Sequence, residues 1–359
     1  MKRLRTSDQL AMSSAAAMIG WKAALLKHTA FLMGLSSTGT KAEIAHAVQQ
    51  RARQASQTLD RRRVISVDMG IRNLAYCVVD MPHSETFGQR QHGSKLPITV
   101  RHWSKRDLLL GLQEQQHLSG ALGKEAREPT TTTRKEARRS SNKDVLPKTA
   151  FTPSALSKVA YEVVTGLLQH QPDEILIERQ RFRSGGQAAV QEWTVRVNML
   201  ESMLWACLHT LQETRSTGTV GFPAIHAVSP ASVANFWIAG KHMNLEPHAE
   251  HYQAGSGIIE PQQPPKLPRK KIEKKDKVQI VRSWIDGSRD DVKLCFEGEA
   301  AQTADLFHSP GRHGSSKHAL PVTKLDDLAD SLLQALAWVR WEQNSHEIEK
   351  LLADLNEQP

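Results

Sequence analysis

Two short apolar runs that each end on an acid restrict this chain more than any other feature. Val64–Asp68 (VISVD) and Glu174–Glu178 (EILIE) are too short for helices, and their aliphatic composition reads as buried strand. An acid extending an apolar strand is costly unless it faces an opening or meets a cation. Asp68 is followed by Met69 and Gly70, where glycine lets backbone or ligand approach closely; taken alone, such an acid is most simply a turn former. Glu178 leads into Arg179-Gln180-Arg181-Phe182-Arg183-Ser184-Gly185-Gly186. The plain reading is a salt-bridged strand end. The functional reading is that Arg179, Arg181 and Arg183 hold phosphates beside a metal carboxylate.

Around these runs the order of elements follows from periodicity. Leu74–Val79 and Ile98–Trp103 read as further strands, with the short link Met69–Asn73 suiting an antiparallel hairpin. Ser154–His170 and Gln187–Leu211 carry apolar residues at helical spacing, and Ala224–Val228 is a fifth strand closed by Ser229-Pro230. Asp326–Asn344 is the final helix. Three strands, helix, strand, helix, strand and a terminal helix predict an α/β, ribonuclease H-like mixed five-stranded sheet flanked by helices, spanning residues 63–345. Polar, weakly patterned stretches at Gly111–Lys148 and Gly240–Pro268 read as insertions, and Thr303–Lys317 as a loop. Trp21–Gln57 reads as a separate helical module. Residues 1–20, basic and rich in Ala and Ser, fit a mitochondrial presequence or a plain tail equally well.

A third acidic point lies in Lys324-Leu325-Asp326-Asp327-Leu328-Ala329-Asp330-Ser331-Leu332-Leu333. Acids near a helix N-terminus ordinarily serve as caps. Asp330, however, sits inside the helix, four and three residues beyond Asp326 and Asp327, so carboxylates share a face while Leu328, Leu332, Leu333 and Leu336 pack. If the fold is right, Asp68, Glu178 and this group converge. Such a set repels itself without cations, and oxygen ligands of this kind suit Mg²⁺, with Mn²⁺ as a substitute. Two ions so held support phosphodiester hydrolysis. Helix geometry permits either Asp326 or Asp327 beside Asp330 and leans to Asp326, giving Asp68, Glu178, Asp326 and Asp330 as the metal set.

Charge points to the partner. Lys and Arg outnumber Asp and Glu by 47 to 38, a formal +9, which favours a polyanion. Lys266–Arg282 holds eight basic residues against two acids, and with nucleic acid suspected it reads as backbone contact through Lys270, Lys271, Lys274 and Lys275. Arg72 and Lys324 are added on position. The alternative for any such run is a solvated helix face. Cys77, Cys207 and Cys295 are widely spaced and offer neither a disulfide framework nor a zinc site. His242, His248 and His251 lack a fourth ligand and read as solvated, and no apolar run is long enough to cross a membrane.

Ser66–Cys77, Ile177–Gly186 and Asp326–Leu332 together resemble the fungal mitochondrial Holliday junction resolvases, relatives of the bacterial RuvC resolvase. The resemblance implies a mitochondrial, Mg²⁺-dependent homodimer making paired nicks in a four-way DNA junction. It places Asp68, Glu178 and Asp330 at metal-ligand positions, with Asp326 or Asp327 as the fourth; the three-residue spacing of the bacterial relative favours Asp327. The front module resembles a SAP domain, with Gly34 ending one helix, Gly39 allowing a turn, Thr40 capping the next helix, and Lys27 and Lys41 placed to meet phosphates. Its removal is expected to weaken DNA binding and spare the chemistry. Long helix Gln187–Leu211, with Trp193, Met199, Met203 and Trp205, is the candidate dimer face. An actin- or hexokinase-type ATPase or sugar kinase shares this core, but its Gly-rich phosphate motifs are missing here. A non-catalytic DNA-binding protein and a transposon-type nuclease remain as further alternatives.

Overall fold

Strand β1 (Arg63–Asp68) forms the middle of the sheet, and its alternating side chains set the two layers of the molecule. Val64 joins the core on one face, while Ile65 and Val67 join the core on the other. In the computed structural model, residues 18, 21–56, 62–81, 97–109, 151–180, 191–215, 221–239, 273–308 and 322–357 are described. β2 (Leu74–Asp80) pairs antiparallel with β1 and is buried along its whole length, and β3 (Pro97–Arg106) pairs antiparallel with β2. After helix α3 (Pro153–Leu168), β4 (Glu174–Glu178) returns parallel to β1, and β5 (Ala224–Val228) lies parallel to β4.

The sheet has six strands, not five. The order is β5-β4-β1-β2-β3-β6, the added member being β6 (Lys293–Phe296), parallel to β3 at the far edge. One face is covered by α3 and α4 (Glu192–Arg215), the other by α5 (Pro230–Ala239), α6 (Lys274–Ile285), α7 (Glu299–Asp305) and α8 (Val322–Glu357). Two boundaries are therefore corrected. Helix α7 takes in Thr303–Asp305, which sequence assigned to a loop, and the last helix runs to Glu357 rather than Asn344. The stretches at 111–148 and 240–268, the three histidines within the latter, and residues 1–17 lie outside the described residues. Among the described residues no helix is long and apolar enough to cross a membrane.

The front module is two helices, α1 (Ala23–Leu32) and α2 (Lys41–Ser56). The expected punctuation is present: Gly34 has φ +70° and Gly39 φ +130°, both in the left-handed region. A capping box opens α2, with Glu43 N donating to Thr40 Oγ1 at 3.3 Å and Thr40 N donating to Glu43 Oε2 at 2.7 Å. The backbone and side-chain bonds from Thr40 hold the Glu43 carboxyl below its usual range. This module is not set apart from the sheet domain. Leu26, Met33, Ile44, Val48 and Ala52 close one apolar cluster with Ile348 and Leu352 of α8. Asn344 Nδ2 donates to Leu32 O at 2.7 Å, and Arg51 pairs with Glu342.

On α4, Trp193 and Val195 are exposed large apolar side chains, whereas Met203 and Trp205 pack against the core on that face. The candidate dimer face thus shrinks to the N-terminal part of that helix.

Candidate active site

The parallel register of β1 and β4 pairs Val67 with Ile177, so the next residues, Asp68 and Glu178, end neighbouring strands side by side. Both point to the face covered by α8, since the period of two puts Val64, Asp68, Leu176 and Glu178 on one side. A hydrogen bond joins the two carboxyls. The Asp68 carboxyl is held well above the usual range, first by burial, then by the charge and hydrogen bond of Glu178, then by Asp330 and Asp327.

Helix α8 brings the remaining acids. Its rotation is pinned by donors to its own carbonyls: Trp103 Nε1 to Leu328 O at 3.0 Å, Trp237 Nε1 to Leu333 O at 2.8 Å and Cys77 Sγ to Ser331 O at 3.2 Å. One turn beyond Asp330, buried Gln334 directs Nε2 toward Val67 O at 3.3 Å and Leu176 O at 3.4 Å, bridging β1 and β4 just below their acidic ends. With the helix so oriented, Asp330 is pushed up to about 6, by burial first and, against the opposing charge of Lys277, by Glu178 and Asp326. Burial also raises Asp327, with Lys105 opposing and Asp326 adding to the rise.

Each helix aspartate meets a lysine. Lys277 Nζ lies 2.7 Å from Asp330 Oδ2, Lys105 Nζ 3.0 Å from Asp327 Oδ2, and Lys274 pairs with Asp326. Among the described residues no group of three His, Cys, Asp or Glu side chains is gathered as a ready metal cage. Asp326, Asp327 and Asp330 end instead on three separate ammonium groups. The donor set nonetheless fits a hard divalent ion. It is entirely carboxylate oxygen, acidic neighbours help to raise Asp68 and Asp330, and Asp326 Oδ1 is buried without a hydrogen-bond partner.

All five sequence-selected acids therefore come to one end of the sheet. Arg72 and Arg179 are exposed close by in sequence to Asp68 and Glu178. Lys275 pairs at 2.8 Å with Glu273, and exposed Lys27 and Lys41 sit on the front module. Arg181, Arg183, Lys270 and Lys271 lie outside the described residues, as does the side chain of Lys324. Sequence reasoning missed Lys105, Lys277 and Gln334. Lys105 was signalled by the period of two from buried Trp103, and Lys277 by its three-residue step from Lys274 on one helix face.

A mixed sheet whose two central parallel strands end in paired acids, crossed by a helix that adds more, defines the ribonuclease H-like class. Within that class the chain belongs to the family described as mitochondrial resolvase Ydc2 / RNA splicing MRS1, whose model matches residues 64–348. A relative in Schizosaccharomyces pombe, the mitochondrial cruciform cutting endonuclease 1, is 28% identical over 322 residues, covering 89% of this chain and 92% of that protein. The Saccharomyces cerevisiae protein of the same name is 22% identical over 232 residues, 58% of this chain and 59% of that protein. Among solved structures, the yeast mitochondrial Holliday junction resolvase Ydc2 is similar, with a TM-score of 0.54 and 25% identity, covering 93% of this chain and 99% of that one.

Proposed function

We propose that this chain is a mitochondrial endonuclease that resolves four-way DNA junctions by paired, Mg²⁺-dependent nicks in opposing strands. The observation that carries this is the packing of Asp68 against Glu178 beneath the acids of α8, which gathers five carboxylates at one end of the sheet where neither capping nor core packing calls for them. The names of the relatives supply the substrate class. Asp68, Glu178, Asp326 and Asp330 would hold the ions; Asp326 is preferred as fourth ligand because its Oδ1 is buried and unpartnered. Bound Mg²⁺ supplies the positive charge that activates a water and offsets charge on the leaving oxygen. The chain's own residues do the rest: Gln334 and the pinned face of α8 hold the acids in register, and basic residues around the site hold the backbone.

A second reading follows from the family description, which also covers RNA splicing. In it the basic surface binds nucleic acid and the acids are inert. The two part on one assay. A labelled four-way junction incubated with the chain should give symmetric nicks with Mg²⁺ and none with EDTA; binding without cleavage under both conditions would favour the second reading. Junction symmetry also calls for a two-fold homodimer, with Trp193 and Val195 as its candidate contacts. Sedimentation giving only monomer, free and on DNA, would contradict the dimer.

A further inference from the structure

We propose that Lys274 and Lys277 are exchangeable counter-cations of the acidic centre, which neutralise Asp326 and Asp330 when no metal is bound and pass to the DNA backbone when divalent ions take those carboxylates, while Lys105 stays on Asp327 beside them. This rests on the metal-nuclease reading above. The three lysines reach the centre from two unrelated elements, Lys105 from β3 and the others from α6, yet each ends on a different aspartate. Their stems are anchored. Trp103, two residues before Lys105, is buried on the same face of β3, and Val278, Val281 and Trp284 fasten α6 to the core. The side chains of Lys105 and Lys277 are mostly covered, 23% and 24% exposed, whereas that of Lys274 is 68% exposed.

An ammonium 2.7 Å from Asp330 Oδ2 occupies the space a metal ion needs and would repel an ion placed there. Metal entry must therefore displace it. Because its helix is fixed, a displaced lysine swings only within the length of its own side chain, which leaves its charge beside the carboxylates, where a phosphodiester brought to the metals would lie. Binding of metal in the absence of DNA is weakened by this competition. Metal and DNA favour each other, since each takes one half of the same ion pairs.

The test uses the full chain and Mn²⁺ alone as probe, by titration calorimetry, in the wild type, Lys277→Gln, Lys277→Arg and Asp330→Asn. Lys277→Gln should bind Mn²⁺ about fivefold more tightly than wild type, the upper scale of an ion pair that still meets solvent. Lys277→Arg, which keeps the charge, should stay near the wild-type value. A second readout is the salt dependence of junction binding. Lys277→Gln should lower the slope by about one when Ca²⁺ fills the site, and leave it unchanged in EDTA, where the lysine is already engaged. Unchanged or weaker Mn²⁺ binding by Lys277→Gln, or Lys277→Arg behaving like it, overturns the exchange while leaving the metal site standing. Equal Mn²⁺ binding by wild type and Asp330→Asn overturns the metal site itself and the exchange with it.

Discussion

At the scale of single residues, the centre is defined by carboxylates that crowd one another. Asp68→Asn and Glu178→Gln keep shape and the shared hydrogen bond's neighbourhood but remove the ligand charge, so cleavage should fall by at least about a hundredfold. Junction affinity should stay within a few fold, since it derives from basic residues. Gel-based cleavage and electrophoretic binding on one junction separate the two effects, and brisk cutting by either variant would remove these acids from the reaction. Asp326 and Asp327 pose the finer question. Asp326 is buried with one oxygen unpartnered, while Asp327 is the one of the pair whose charge reaches Asp68. Asp326→Asn should be the more damaging in Mg²⁺-dependent cutting; full activity there beside a dead Asp327→Asn would reverse the ligand choice.

At the scale of elements, the parts nearest the chemistry were the easiest to read. β1 and β4 are buried on both faces, so their apolar runs stand out, and the acids that end them mark the site directly. β6 escaped because Lys-Leu-Cys-Phe is four residues long, half-exposed and lies at an edge, where pattern is weakest. α6 reads in sequence as a basic run for backbone contact; its Val278, Ile280, Val281 and Trp284 bury a stripe that the charges conceal. Gln334 could not be found by pattern, since its value depends on two carbonyls distant in the chain, Val67 and Leu176. Gln334→Leu leaves the packing volume similar and removes the bridge. Cleavage at saturating Mg²⁺ should drop about tenfold while the melting temperature moves by only a few degrees. A change in stability alone would assign Gln334 to the core and nothing more.

At the scale of the whole molecule, α8 is the beam that joins chemistry to the front module. Its first turns carry the acids, and its far half is gripped by α1 and α2. Between them lies a buried ionic network: Arg62 reaches Glu174 at 2.5 Å and Glu342 at 3.1 Å, Arg51 pairs with Glu342, and Trp338 donates to Glu174. The His226 ring lies tilted against the Trp338 ring, centroids 4.4 Å apart, and burial, with Arg51 and Arg62, lowers it to about 4. A histidine depressed in the folded state binds more protons when unfolded, so its contribution is complete above about 6.5 and is lost as pH falls toward about 4. His226→Gln should flatten that limb of the stability curve by about 2 kcal/mol, seen in urea melts across that range. An unaltered pH profile would mean His226 is already solvated in the native protein.

The same beam changes what removal of the front module can show. Read from sequence, Met1–Gln57 is an add-on whose loss weakens DNA binding and spares the chemistry. In the fold, cutting it away bares Ile348 and Leu352, exposes the ring of Trp341 that Gly34 sits against, and strips Glu342 of Arg51. Burying two such aliphatic side chains alone is worth about 4 kcal/mol, a large share of a typical domain's stability. The truncated chain should therefore melt at a distinctly lower temperature and lose cleavage because α8 is no longer held, whatever the module does to DNA. A DNA role is tested instead by Lys27→Glu with Lys41→Glu, which alters two exposed charges and none of the packing. The pair should leave the melting temperature unchanged and weaken junction binding severalfold, more at low salt than at high. Unchanged binding by the charge-reversed protein, beside an unstable truncation, would make the module a structural brace for the catalytic helix and not a second hand on the DNA.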